Sequence, residues 1–170
     1  MTFLIDGYNL LHAVGLATRN LPAKSFERAR TRLLDWLADC TKDRTELLRV
    51  VFDAQKSPTP SLETNHRGVK VRFAFRQTAD ELIEELIRDE HHPEKTTVVS
   101  NDHQVQDSGR HRGCAVSTCQ EFVDWLIAIP KESGRALGAP EPEKIEEHAS
   151  SEEMTAWLEA FSKPPGKNKR

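Results

Sequence analysis

The sequence predicts an α/β protein: a mostly parallel sheet covered on both faces by helices, a three-layer α/β/α sandwich. Short apolar runs recur at residues 3–5, 47–52, 69–75, 96–100 and 114–116. Segments with helical spacing of apolar residues lie between them, so strands and helices alternate. Right-handed crossovers between parallel strands then bury both faces of the sheet. A chain of 170 residues can build one such domain without a disulfide framework or a structural metal.

The elements follow in order. Phe3-Leu-Ile5 closed by Asp6-Gly7 reads as a buried strand, and residues 8–16 as a loop with one helical turn. Ser25 stands where it would cap a helix over 25–40, with Phe26, Ala29, Leu33, Leu34 and Leu37 in one apolar stripe. The second strand ends at Asp53. Residues 54–68, with Pro58 and Pro60, read as a loop of roughly 14 residues, a length that favours function. After the third strand, Thr78-Ala-Asp-Glu81 forms a capping box for a helix to about Glu90. The fourth strand is followed by Asn101-Asp102, a helix over 104–110 and the fifth strand. Thr118-Cys-Gln-Glu121 is a second capping box, opening a helix to about residue 129.

Composition shifts after Pro130. Gly134, Gly138, Pro140 and Pro142 mark a linker, and Ser150-Ser-Glu-Glu153 a third capping box. The short helix it opens carries Met154, Trp157, Leu158 and Phe161, expected to dock on the domain or a partner without taking part in chemistry. The expected division is a domain over 1–130, then a linker, helix and basic tail over 131–170.

A net charge of −3 argues against gripping nucleic acid by bulk charge but leaves room for a local basic groove. Cys40, Cys114 and Cys119 are odd in number and form no Cys-x-x-Cys pair, as expected of reduced thiols in a cytoplasmic protein. Met-Thr-Phe-Leu-Ile has no basic leader-like flank, and no apolar run approaches the roughly 20 residues needed to span a bilayer, so no membrane partner is expected.

The acids carry the functional argument. Asp6, Asp53 and Asp102 each follow a strand, and in open α/β sheets the ligand crevice lies outside the carboxyl ends of the strands. On the helix opened at Thr78, Ala79, Leu82, Ile83, Leu86 and Ile87 make the buried stripe. Asp80 and Glu84 lie at its edge, one turn apart; Glu81 and Glu85 point away. Crowded carboxylates must take up protons or a cation. Hard oxygen ligands suit Mg²⁺ or Mn²⁺, which can activate water and stabilise charge developing on a phosphodiester. The plain alternative is that an Asp after a strand is a turn or helix-cap residue. No Gly-rich phosphate loop or Gly-x-Ser-x-Gly elbow competes.

Arg67, Lys70, Arg72 and Arg76 could track an RNA backbone, against the reading of an edge strand defended by charge. The strand-end pair, Arg67 and Arg76, is favoured over the middle pair. Ser100 and Asn101 are candidates to orient Asp102 or the waters of a metal. Tyr8 either stacks on a base or packs over the first strand. His91, His92, His103 and His111 lack metal-ligand spacing, His12 and His103 read as surface residues, and Cys114 and Cys119 as core.

Leu4-Ile-Asp-Gly-Tyr-Asn9, with Val51-Phe-Asp53, Thr78-Ala-Asp-Glu81 and Val98-Val-Ser-Asn-Asp102, resembles the YacP-like NYN family of the PIN-like nuclease superfamily, over about residues 1–129. The resemblance implies a sheet in which the five strands are ordered 3-2-1-4-5. It implies metal-dependent endonucleolytic cleavage of RNA, with Asp6, Asp80 and Asp102 as the catalytic, metal-holding acids and Asn9 and Asp53 around them. Glu84, Ser100 and Asn101 would support these. A tie to translation would make the ribosome a partner; no preference for DNA is expected. PIN-like sites often hold another acid after the fourth strand, and Asp107 is available there, its direction open. The expectation is an endoribonuclease using Mg²⁺ or Mn²⁺. The alternative is a non-catalytic RNA- or ribosome-binding module. A small-molecule phosphohydrolase is disfavoured, since the Asp6 loop lacks an Asp-x-Asp arrangement.

Overall fold

The computed structural model describes residues 1–17, 22–53 and 62–128. The linker, third capping box, short helix and tail expected beyond residue 130 lie outside the described residues. The elements run β1 (Thr2–Asp6), α1 (Gly7–Ala13), α2 (Ala23–Thr41), β2 (Leu47–Asp53), β3 (Thr64–His66), β4 (Val69–Ala74), α3 (Ala79–Arg88), a 3-10 turn (Pro93–Lys95), β5 (Thr96–Val99), α4 (His103–Arg112), β6 (Ala115–Ser117) and α5 (Cys119–Ala128).

The sheet order is β3-β4-β2-β1-β5-β6. All neighbours are parallel except β3, which pairs antiparallel with β4. Without β3 the order is the expected 3-2-1-4-5. Because side chains alternate across a strand, β1 sends Phe3 and Ile5 to one face and Leu4 to the other. Phe3 and Ile5 join Leu48, Val50, Phe52 and Val99 beneath α1, α2 and α5. Leu4 joins Val51 and Val98 beneath α3 and α4. The three layers follow from this alternation.

Three local expectations are corrected. First, residues 7–13 form a helix rather than a loop, because the Asp6 carboxylate caps it and Leu10 and Leu11 are fully buried. Gly7 opens this helix against the face of Phe52: a Cβ there would lie 2.3 Å from the ring. Second, α2 begins at Ala23 after Pro22 with no side-chain cap, so Ser25 lies inside the helix. Proline's fixed φ suits a helix start without any side-chain oxygen. Third, the expected loop before residue 69 contains β3. Arg67 and Gly68 make its two-residue turn at φ 51° and 96°, the mirror-image turn that matches strand twist. The capping boxes at Thr78 and Thr118 form as expected.

Candidate active site

All the parallel strands end on one side, and there the sheet delivers its acids. Register sets Ile5 beside Val99, so Asp6, one residue on, is level with Ser100. Asp6 is 3% exposed. Its Oδ1 accepts from the backbone N–H groups of Tyr8 and Asn9, each at 3.1 Å. Its Oδ2 accepts from Asn9 Nδ2 and from Ser100 Oγ, the latter at 3.3 Å. Burial still raises the Asp6 pKa above the ordinary carboxylate value, against all four donors.

Ser100 is wholly buried and ties two acids together. Its hydroxyl donates to Asp6 and accepts from Asn9 Nδ2 at 3.1 Å and from the Asp102 N–H at 3.0 Å. Gln106, buried and unforeseen from the sequence, donates from Nε2 to the Ser100 carbonyl at 2.7 Å. Asp102 caps α4, its Oδ1 accepting from Gln104 N at 2.7 Å and Val105 N at 3.2 Å. Asp53 Oδ1 accepts from Ala79 N at 2.9 Å, pinning the start of α3 and with it Asp80. The helix-cap reading therefore holds for Asp6 and Asp102, and Asp53 likewise uses one oxygen to fix the start of a helix.

Asp80 registers the cluster electrostatically. Its pKa rises from 3.8 to about 6, first through burial, then through the charges of Asp6, Asp102, Asp53 and Glu84 in that order. The helix N-terminus on which Asp80 sits would favour its ionisation; burial and crowding together prevail. Glu84 accepts from Gln104 Nε2 and Ser108 Oγ of α4, each at 3.2 Å. Cys119 lies close enough to Asp6 to feel its charge, and burial first, then that charge, push its thiol up to about 12. It stays a protonated core residue.

Other expected residues are placed elsewhere. Asn101 Oδ1 accepts from Cys119 N at 3.0 Å, bracing α5. Asp107 is exposed and pairs with Arg110 at 2.8 Å. The four basic residues separate. Arg67 sits at the amino end of β4, opposite the acids, paired with Asp35 at 3.3 Å and Asp39 at 2.6 Å. Lys70 pairs with Glu63 at 2.9 Å, again toward the amino end. Arg72 is half-buried in mid-strand beside Val51. Arg76, at φ 58°, follows the carboxyl end of β4 and shares the side on which the acids lie.

The donor chemistry fits a hard divalent cation: oxygen donors, and a net negative field at Asp80 to which each named carboxylate adds. As the side chains stand, among the described residues no three His, Cys, Asp or Glu groups close around one point. Fit is thus one of charge and donor type.

The crowding predicts a pH signature. Between pH 3.8 and about 6 the folded chain keeps on Asp80 a proton that the unfolded chain has lost. Stability attributable to this group therefore falls as pH rises through that window and is level above it. Asp80→Asn is expected to melt above wild type at pH 7.5, with the difference vanishing near pH 4. A difference independent of pH would remove crowding as its cause.

Among the described residues no helix is long and apolar enough to cross a membrane. A model of the YacP-like NYN domain matches residues 3–162, so the likeness extends well past residue 129, the end of the resemblance read from the motifs. The curated "Uncharacterized protein YacP" of Bacillus subtilis is 37% identical over 84 residues, 49% of this chain and 49% of that protein. The matched stretch thus spans about half the length of this curated relative. The crystal structure of Rae1 (YacP) from Bacillus subtilis aligns with a TM-score of 0.57 at 30% identity, over 74% of this chain and 73% of that one. A tryptophan-to-leucine mutant of the same protein aligns with a TM-score of 0.54, over 74% of each chain. The sheet and its nuclease-like architecture are common to these structures, and the chain belongs to the YacP-like NYN domain family.

Proposed function

We propose that the chain is a metal-dependent endoribonuclease of the cytoplasm that cleaves RNA phosphodiester bonds, in mRNA turnover linked to translation. The observation that carries this is placement: Asp6 and Asp53 end parallel strands, Asp102 follows a third on the same side, and Asp80, at the start of α3, feels the charge of all three and of Glu84. Such mutual repulsion has a use where a cation and a phosphodiester must meet.

Asp6, Asp80 and Asp102 would hold Mg²⁺ or Mn²⁺. When bound, the ion supplies neutralising charge and Lewis acidity to a phosphodiester. The chain's own residues do the rest. Asn9 and Ser100 fix Asp6. Asp53 fixes the start of α3, and Glu84 adds negative charge beside Asp80. Without a cation the half-buried Asp80 is held up at about 6 by burial and by its acidic neighbours, so a bound divalent ion would favour its ionised form. Water adds to phosphorus, the bond to the 3′ oxygen breaks, and the products are a 5′-phosphate and a 3′-hydroxyl. The substrate is RNA, and ribosomes are the assembly on which it would be met.

A second reading, an RNA- or ribosome-binding module without chemistry, is favoured by one observation: among the described residues the acids do not close around a single point. Metal removal separates the two. Cleavage of a short labelled RNA is expected with Mg²⁺ or Mn²⁺, to cease with excess EDTA, and to return when the metal is restored. Cleavage that persists undiminished in EDTA, with all metal stripped, would end the metal-dependent reading. Tight RNA binding with no cleavage under any metal would establish the second.

A further inference from the structure

We propose that Tyr8 and Arg30 form a binding subsite for single-stranded RNA beside the acids, Tyr8 stacking an unpaired base and the Arg30 guanidinium receiving an adjacent phosphate. The proposal deepens the RNA reading and rests on it.

Tyr8 leaves the Asp6 cap directly and is 37% exposed, among the few large apolar side chains so open. Its ring is held rather than loose: it meets His12 edge-on at 4.5 Å between centroids, and Phe26 at 5.9 Å. An aromatic ring fixed on its flanks yet open to solvent is a platform on which a base can stack.

Arg30 stands one turn beyond Phe26 on α2. Its guanidinium lies 4.7 Å from the Phe73 ring centroid and 5.8 Å from that of Phe52. These rings stack in register at the penultimate positions of β4 and β2, which is the acid end of the sheet. Phe52 is also the ring against which Gly7 is pressed, so one aromatic wall separates Arg30 from the Asp6 loop.

Several other cations are held by acids. Arg67 pairs with Asp35 and Asp39, Arg49 and Lys70 with Glu63, and Arg110 with Asp107. Arg30 has the two rings beneath it and the charge of Glu27 nearby, with no hydrogen bond or ion pair among the described residues. Burial lowers its pKa from 12.5, the mark of a cation short of compensation. Its nitrogens are not among the sealed, unpartnered side-chain atoms, a class that holds Arg44 Nη1 among the described residues. A guanidinium stacked flat on a ring still offers its N–H edge, which matches two phosphate oxygens. A polyanion approaching a group of acids needs such a cation beside them. The pairing of an open ring with a stacked guanidinium selects single strands, because a duplex keeps its base faces covered.

The test is fluorescence anisotropy with a labelled single-stranded RNA of about ten nucleotides, full-length protein and EDTA present, beside a duplex of the same sequence. Tyr8→Ala is expected to weaken single-strand binding by roughly 5- to 100-fold and to leave duplex binding unchanged, while Tyr8→Phe binds like wild type. Arg30→Gln should weaken binding and flatten its salt dependence by about 0.7 of a log unit per log unit of salt, the contribution of one phosphate on a single strand. Arg30→Lys should restore that slope, which separates lost charge from a disturbed core. Thermal melts confirm that each variant is folded. Wild-type binding in folded Tyr8→Ala and Arg30→Gln would overturn the subsite while leaving the RNA reading intact. A wild-type protein that neither binds nor cleaves RNA would overturn both.

Discussion

Asp6→Asn is expected to slow single-turnover RNA cleavage by roughly 100-fold or more while leaving the melting temperature equal to or above that of wild type. The opposite directions follow from two roles of one side chain. Oδ1 caps α1 through the Tyr8 and Asn9 amides, and Asn caps a helix about as well as Asp. Oδ2 carries charge into a site 3% exposed, where burial already disfavours ionisation. Replacing Oδ2 by an amide nitrogen requires Asn9 to turn its amide and Ser100 its hydroxyl, adjustments set against the removal of a buried, crowded charge. The measurement is cleavage with Mn²⁺ or Mg²⁺ beside a thermal melt. A variant that cleaves at the wild-type rate would place the chemistry elsewhere. If neither protein cleaves and the wild type binds ribosomes, the binding-module reading takes over.

Gly7→Ala is expected to be among the most destabilising single-methyl additions in the chain. The new Cβ would lie 2.3, 2.5 and 2.8 Å from three atoms of the Phe52 ring. That ring cannot swing aside as a flexible side chain would: it is fully buried and stacked on Phe73 beneath Arg30. Overpacking of this kind costs about 1–3 kcal/mol or more, a large share of the roughly 5–15 kcal/mol by which a domain is stable. Urea denaturation measures it. Phe52→Leu in the same chain should recover part of the loss, since the two changes meet at one contact. A Gly7→Ala midpoint equal to that of wild type would refute the steric account.

These two residues also mark what was legible in the sequence. The strands were readable because each is a compact apolar run, and the order of the five parallel ones followed from the motif resemblance. The helices at Thr78 and Thr118 were readable because a capping box is local chemistry. α1 was not, since Asp6-Gly7 has the signature of a turn and the helix depends on a distant ring at Phe52. β3 was not, since Thr64-Asn65-His66 is polar and joins the sheet through backbone pairing at its edge. Proline in place of a side-chain cap hid the start of α2. In the site, acids at strand ends could be read one by one. Their shared field at Asp80 could not, nor could the buried support of Gln106, which acts through a carbonyl, nor Arg30, which stands between Arg28 and Arg32 with no local pattern to single it out.

The position of β1 has a consequence for how the chain acquires its structure. β1 comes first in sequence yet lies inside the sheet; its first partner begins at Leu47 and its second at Thr96. Pairings so distant along the chain cost loop-closure entropy before they return any contact, which slows folding. During synthesis an apolar strand therefore emerges early and keeps one edge open until β5 has been made, an interval in which its backbone is a template for mispairing. Asp6 meets Ser100 only when that edge closes. The acidic site is thus a late product of folding, and a nascent chain stopped before β5 would carry the Asp6 motif without the Ser100 that ties it to Asp102.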